Sequence, residues 1–139
     1  MNPPDPAASR PDADIQADIE QMIARYPPLA HDRHSIRIRV NEGQVILSGY
    51  VRTLATRRYF LTSLAGIAGV VGVQAEALFD DETLRLEAGQ VIPPGVVVAR
   101  CQYGSLVLSG QLPPGMSAAD VAARVRQVPG VRRVLVLFG

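Results

Sequence analysis

The sequence has no lysine and no tryptophan, and it carries one cysteine and two histidines in 139 residues. Without lysine there is no Schiff-base chemistry and no P-loop lysine, and no glycine-rich phosphate cradle is present. A single cysteine forms no intrachain disulfide, so nothing requires an oxidising compartment. The net charge of +1 gives no global electrostatic case for nucleic acid or a membrane surface. The opening MNPPDPAASRPDAD lacks a basic segment and an apolar segment of the kind a secretory signal needs. Residues 1–12, rich in Pro, Ala and Asp, are expected to form a disordered arm, and the chain to be cytoplasmic or peripheral at a membrane. The longest uncharged run, YFLTSLAGIAGVVGVQA (59–75), has 17 residues, the lower limit for a transmembrane helix. Its glycines and changing apolar period predict helix, turn and strand instead.

What is present is a repeat. GQVILSGYV (43–51) returns as GSLVLSGQL (104–112), 61 residues later. The same offset of 61 lays residues 36–51 on 97–112 and GVVGV (69–73) on GVRRV (130–134). Between these blocks Phe60, Leu64 and Ile67 fall on Val121, Val125 and Val128, one helical face in both copies. The copy of the long uncharged run contains Arg124, Arg126, Arg132 and Arg133, which hydrocarbon would not accept cheaply. A tandem repeat of one small domain follows. Each half is marginal for a core of its own.

Ile15, Ile19, Met22, Ile23 and Tyr26 lie on one helical stripe, with Asp12 or Asp14 as a cap and Pro27-Pro28 as a stop. Ile36, Ile38 and Val40 alternate with Arg37, Arg39 and Asn41 as in a half-buried strand. Asn41-Glu42-Gly43 turns the chain into a second strand at 44–52. A helix over about 53–68 and a strand over about 70–78 complete an α-β-β-α-β order, the last crossover right-handed and parallel. The second copy predicts β-β-α-β with Ser117 as helix cap. Its first helix, in DDETLRLEAGQVIPPG (80–95), has two turns at most with a stop at Gly89, and a short strand through Leu84 and Leu86 competes with it. The fold class is α+β: two units, each a small mixed three-stranded sheet with helices on one face.

The V-x-L-x-G strand ending at Gly49, its counterpart ending at Gly110 with Leu106 in the valine's place, and the Gly-Val-x-x-Val pattern at Gly69 and Gly130 resemble the BON domain family of bacterial osmotic-stress and nodulation proteins. The resemblance covers residues 13–79 well, and 80–139, with a shortened first helix, as a partly degenerate second copy. The four glycines are expected to serve the fold, Gly49 and Gly110 through close approach of a helix to the strand or through a bulge. The resemblance implies a non-catalytic binding module associated with phospholipid surfaces, envelope maintenance and protein contacts, with no cofactor. Members are mostly exported, and the missing export signal departs from that.

Candidate chemistry is sparse. His31 and His34 sit in a connecting loop with no third histidine to complete a metal site. Cys101 takes the place of Val40 under the offset, which turns it to the core as a small hydrophobe. Asp80, Asp81 and Glu82 complement a helix dipole. The G-x-x-G spacing in GIAGVVG (66–72) is uncharged and leads into a strand, unlike an RNA clamp. An enzyme is not expected, nor nucleic acid as a partner.

Function then rests on surfaces. Strand parity turns Arg37, Arg39, Ile46, Ser48, Tyr50, Gln74 and Glu76 outward in the first copy, an ordinary wet face. In the second copy it turns out Val98, Arg100, Val107, Ser109, Leu135 and Leu137, and Val98, Val107, Leu135 and Leu137 form a candidate interface for a protein partner or a second protomer. Arg52, Arg57, Arg58 and Tyr59 at the start of a helix form a candidate contact for anionic lipid headgroups. The alternatives are a protein-interaction or self-assembly module and a peripheral anionic-phospholipid binder of the envelope or osmotic-stress response.

Overall fold

The computed structural model describes residues 10–138, which form two compact units, each with its own core. One comprises the chain up to Val51 and Ala55–Leu78; the other comprises Arg52–Leu54 and the chain from Phe79 onward. Both follow the expected α-β-β-α-β order around a three-stranded sheet.

The first unit opens with α1 (Asp12–Arg25) and a short α2 (Pro27–Asp32), which a 3-10 turn at Arg33–Ser35 connects to β1. The hairpin of β1 (Ile36–Asn41) and β2 (Gln44–Val51) is antiparallel, and α3 (Leu54–Ala65) leads to β3 (Gly72–Asp80), which lies beside β2. Ile15, Ile19 and Ile23 point from α1 into a core with Val45, Leu47, Phe60 and Leu64, the stripes that helical and strand periodicity predict. Of the arm expected at residues 1–12, residues 1–9 lie outside the described ones. From Arg10 onward the chain is fixed: its guanidinium donates to Ala68 O at 2.9 Å and pairs with Asp18.

Asp12 does not cap its own helix, whose N-cap is Pro11 without a side-chain bond. Its carboxylate instead accepts the N–H groups of Glu42 (2.9 Å) and Gly43 (3.0 Å) across the unit. Those two residues have φ of +50° and +79°, the left-handed pair of a tight hairpin turn.

The second unit repeats this device. It contains α4 (Asp81–Val91), β4 (Val96–Gln102), β5 (Ser105–Gly110), α5 (Ala118–Arg126) and β6 (Arg133–Phe138), with β4–β5 antiparallel and β5–β6 parallel. Tyr103 and Gly104, with φ of +47° and +80°, make the hairpin turn. Asp81, in the first turn of α4, accepts their N–H groups at 2.7 and 3.0 Å. Ser117 caps α5 through the Asp120 N–H, as expected.

The first helix of this unit corrects the sequence reading. It is neither two turns nor a strand but an 11-residue α-helix that passes through Gly89 to Val91. Asp80 is its N-cap, accepting from the Thr83 N–H (2.8 Å) and hydroxyl (2.9 Å). Leu84 and Ala88 are buried one turn apart, and that tertiary anchoring outweighs the cost of one glycine.

Gly49 and Gly110 serve the fold, though not by admitting a helix. Their φ values are +106° and +101°, and a Cβ on either would lie 2.0 or 2.1 Å from the carbonyl oxygen of Ser35 or Gly95. The close approach is between backbones, where the adjacent strand begins. Gly69 and Gly130 are also left-handed, at +93° and +94°, and Gly130 makes room for the Phe79 ring.

Candidate interaction surface

The β4–β5 pairing sets which side chains the second sheet turns outward. Val96 lies opposite Gly110, Val97 opposite Ser109 and Val98 opposite Leu108, after which the register shifts and Arg100 faces Val107. The extra residue, Ala99, is a bulge. Relative to the first unit, where Ile36 faces Gly49, β4 begins with an offset of 60 and reaches 61 only after the bulge. Val98 therefore packs against the core beside the buried Leu108, and the expectation that it faces outward is overturned. Val97 takes that position and is 52% exposed.

With β5 central, the outward face has three rungs: Val97–Ser109–Leu137, Arg100–Val107–Leu135 and Gln102–Ser105–Arg133. Leu135 and Leu137 are 52% and 58% exposed. The face thus has an apolar end and a polar, cationic end, with no carboxylate on any rung. At the cationic end a cleft of about 320 Å³ is lined by Arg100, Gln102, Tyr103, Ser105, Val107 and Arg132. Arg100 Nη2 donates to Gln102 Oε1 (2.5 Å), so the guanidinium lies along the strand. Sequence parity found the leucines because β6 alternates strictly; it missed the cleft, which the hairpin turn creates.

The outward face of the first sheet pairs Arg37 with Ser48 and Arg39 with Ile46, and its Gln74 and Glu76 are exposed. It is the wet face expected.

The residues of the basic group at α3 differ in their settings. Arg57 is half-buried and donates from Nε to Leu78 O and from Nη2 to Ala75 O, both at 2.9 Å, tying the helix to β3. Tyr59 stacks on Tyr26 with centroids 3.8 Å apart, so part of its ring surface is taken up within the unit. Arg52 and Arg58 are exposed.

Of the remaining candidates, Cys101, Asp80, Asp81 and Glu82 have structural partners. His31 lies in α2 and His34 in the 3-10 turn, not in a loop, and both are exposed. Between them Arg33 donates from Nε to Glu20 Oε2 at 2.9 Å. No group of three or more metal-ligating side chains occurs among the described residues. Cys101 lies against the second core, its Sγ 3.6 Å from Asp81 Oδ1. Burial and then the Asp81 charge push its thiol up to about 12, the opposite of an activated nucleophile. Of the three acids, Asp80 caps α4 and Asp81 holds the hairpin. A groove of about 600 Å³ runs between the C-terminal ends of α4 and α5, past Glu87, Val91, Arg124 and Val128. No helix among the described residues is long and apolar enough to cross a membrane.

Against known proteins, the model of the BON domain family matches residues 11–78. Similar solved structures come from CdsD, a structural protein of the type III secretion system of Chlamydia trachomatis. Its C-terminal domain superposes with a TM-score of 0.65 at 24% identity, over 90% of this chain and 64% of that one. A second CdsD structure gives a TM-score of 0.36 at 15% identity, over 90% of this chain and 91% of that one. The likeness is one of fold, and this chain spans under two thirds of the CdsD C-terminal chain. No curated protein matches.

Proposed function

We propose that the chain is a non-catalytic interaction module of two BON-like domains, 13–79 and 80–139, in which the second docks protein through its open sheet face. The observation that carries this is the row of Val97, Leu135 and Leu137, each more than half exposed on a sheet whose other face holds the core. Contiguous apolar surface on a rigid sheet is costly to leave in water, and its covering by protein is the ordinary resolution. The partner interface is Val97, Val107, Leu135 and Leu137, with Val97 in the place sequence parity gave to Val98. The CdsD domain, described as part of a structural protein of a secretion system, supports an assembly role over an enzymatic one. A role in osmotic stress or the envelope rests on the family association alone.

The peripheral phospholipid reading is weaker, because Arg57 and Tyr59 are engaged within the unit. Light scattering of the purified chain across concentration, run beside sedimentation with acidic liposomes, separates the two. Val107→Asp with Leu135→Asp is expected to abolish concentration-dependent growth in size while leaving liposome behaviour unchanged. Where the wild type grows with concentration, a double variant of unchanged size and unchanged melting would sink the docking face, and salt-sensitive sedimentation of the wild type would favour the lipid reading.

A further inference from the structure

The open face has a complement elsewhere on the same chain. Among the described residues the most exposed of the large apolar side chains is Leu86, at 70%, on the outer side of α4. Leu84 and Ala88 bury the opposite side of that helix, so Leu86 points away from its own sheet. Around it stand Glu82 one turn earlier, Arg85 and Glu87 on either side and Gln90 one turn later, all exposed; Arg85 is drawn away to Val98 O at 2.9 Å, and Glu82 Oε1 accepts the Leu54 N–H at 3.2 Å. This is a small amphipathic stripe in reverse: an apolar side chain on the solvent side, with two carboxylates beside it against the one guanidinium of Arg85, which bonds to β4.

Resting on the reading of the sheet face as a docking surface, we propose that its occupant is a second copy of this chain, which lays the Leu86 stripe of α4 across the face. Charge decides against the simpler face-to-face pair. The three rungs carry Arg100 and Arg133 and no acid, so two copies meeting face to face would set guanidinium groups over each other or over leucines. The α4 stripe supplies what the face lacks. Leu86 meets the apolar rungs of Val107, Leu135 and Leu137, and the flanking carboxylates meet the cationic end around Arg100 and the cleft. A helix on the open side also gives the sheet a second covering layer, the arrangement that buries both faces.

The two patches are different surfaces, so the contact is head-to-tail. Each copy that docks through its face leaves its own α4 free to receive another, and growth continues into a ring or a filament. An isologous pair would stop at two.

Complementation tests this with full-length chain. Leu135→Asp removes the face and Leu86→Asp removes the stripe; both positions are more than half exposed, and circular dichroism with thermal melting checks that each variant keeps its fold. Wild type is expected to grow beyond a dimer with concentration and to shrink as salt rises. Each variant alone is expected to be monomeric, its self-affinity down at least about 30-fold, the scale of losing an interface anchor. Mixed, the two variants are expected to form a one-to-one dimer and nothing larger, because one intact face and one intact stripe remain. If Leu86→Asp assembles like wild type while Leu135→Asp does not, the stripe is wrong and the docking face stands. If both variants assemble like wild type, both readings fall. A wild type monomeric at all concentrations, or two monomeric variants that do not complement, overturns the head-to-tail contact alone.

Discussion

Asp81 Oδ1 accepts the N–H of Gly104 at 3.0 Å, and in the first unit Asp12 Oδ1 stands in the same relation to Gly43, also at 3.0 Å. In both units the first residue of the opening helix reaches over to hold the hairpin turn. The two differ in burial: Asp81 is 6% exposed, while Asp12 is half-buried. Removing an acceptor from buried N–H groups costs more than removing it from wet ones. Asp81→Ala is expected to destabilise the second unit by about 3 kcal/mol, and Asp12→Ala the first by about 1 kcal/mol. Urea denaturation of both variants checks the order, and equal losses would contradict it.

Three glycine-to-alanine changes should divide by sign. At Gly110 the new Cβ would lie 2.1 Å from Gly95 O, a backbone atom that cannot swing aside, and φ is +101°. Gly110→Ala is expected to cost more than about 3 kcal/mol, and Gly49→Ala to behave alike. Gly89 lies inside α4 with nothing within 4 Å of an added Cβ. Gly89→Ala is therefore expected to stabilise by up to about 1 kcal/mol, from helix propensity alone. Melting temperatures of the three variants test the division.

The contrast marks how far the sequence could be read. Ile15, Ile19 and Ile23, Phe60 with Leu64, and Val121 with Val125 are buried where their spacing put them, since one face of a helix has one destination. Val98 failed for a definite reason. Val96, Val97 and Val98 are the same residue, so the run carries no alternation from which parity could be taken, and the bulge at Ala99 leaves no compositional trace. In α4 the acidic cap and the Leu84–Ala88 spacing are legible in the sequence; the length is not, because Gly89 reads as a stop while the helix runs through it to Val91. Arg57 looked like a surface cation because its acceptors, the carbonyls of Ala75 and Leu78, are backbone groups on another element.

Glu20 and Arg33 connect α1 to the 3-10 turn, with Arg33 Nε at 2.9 Å from Glu20 Oε2 and its Nη1 on Ile36 O. The guanidinium hydrogen bond holds the Glu20 carboxyl below its ordinary value of 4.5. A carboxyl depressed in the fold contributes stability above its unfolded value and loses it as pH falls through the depressed one. Both side chains are more than a third exposed, so the contribution is at most about 1 kcal/mol. Glu20→Gln is expected to be less stable than wild type at pH 7 and to converge with it as pH falls through the depressed value, below the ordinary 4.5, measured by urea midpoint against pH.

Cys101 gives the opposite edge of the pH range. Its thiol is pushed up to about 12 from an ordinary 9.0, so the fold favours the protonated form and the unfolded chain loses that proton first. The associated stability is intact below pH 9 and declines between pH 9 and about 12. In the native chain at pH 8, alkylation by iodoacetamide is expected to be slow, and in urea rapid. Cys101→Val should flatten the alkaline decline. Rapid native labelling would show that the thiol does not face the core.

Arg57 and Arg58 are neighbours in sequence with opposite expected behaviour. Arg57 donates to two carbonyl oxygens of β3, which would otherwise lack these partners in a partly buried setting. Arg57→Ala is expected to cost about 2 kcal/mol of stability, from two charge-assisted bonds. Arg57→Lys cannot span both carbonyls with one ammonium and should recover only part of the loss. Arg58 is exposed, and Arg58→Ala should stay within about 0.5 kcal/mol of wild type. The same three variants bear on the lipid reading. If Arg57→Ala melts like wild type yet loses sedimentation with acidic liposomes, Arg57 contacts headgroups and its bonds to β3 are dispensable. If it melts lower and any liposome binding persists, Arg57 is a fold residue, which is what its two acceptors indicate.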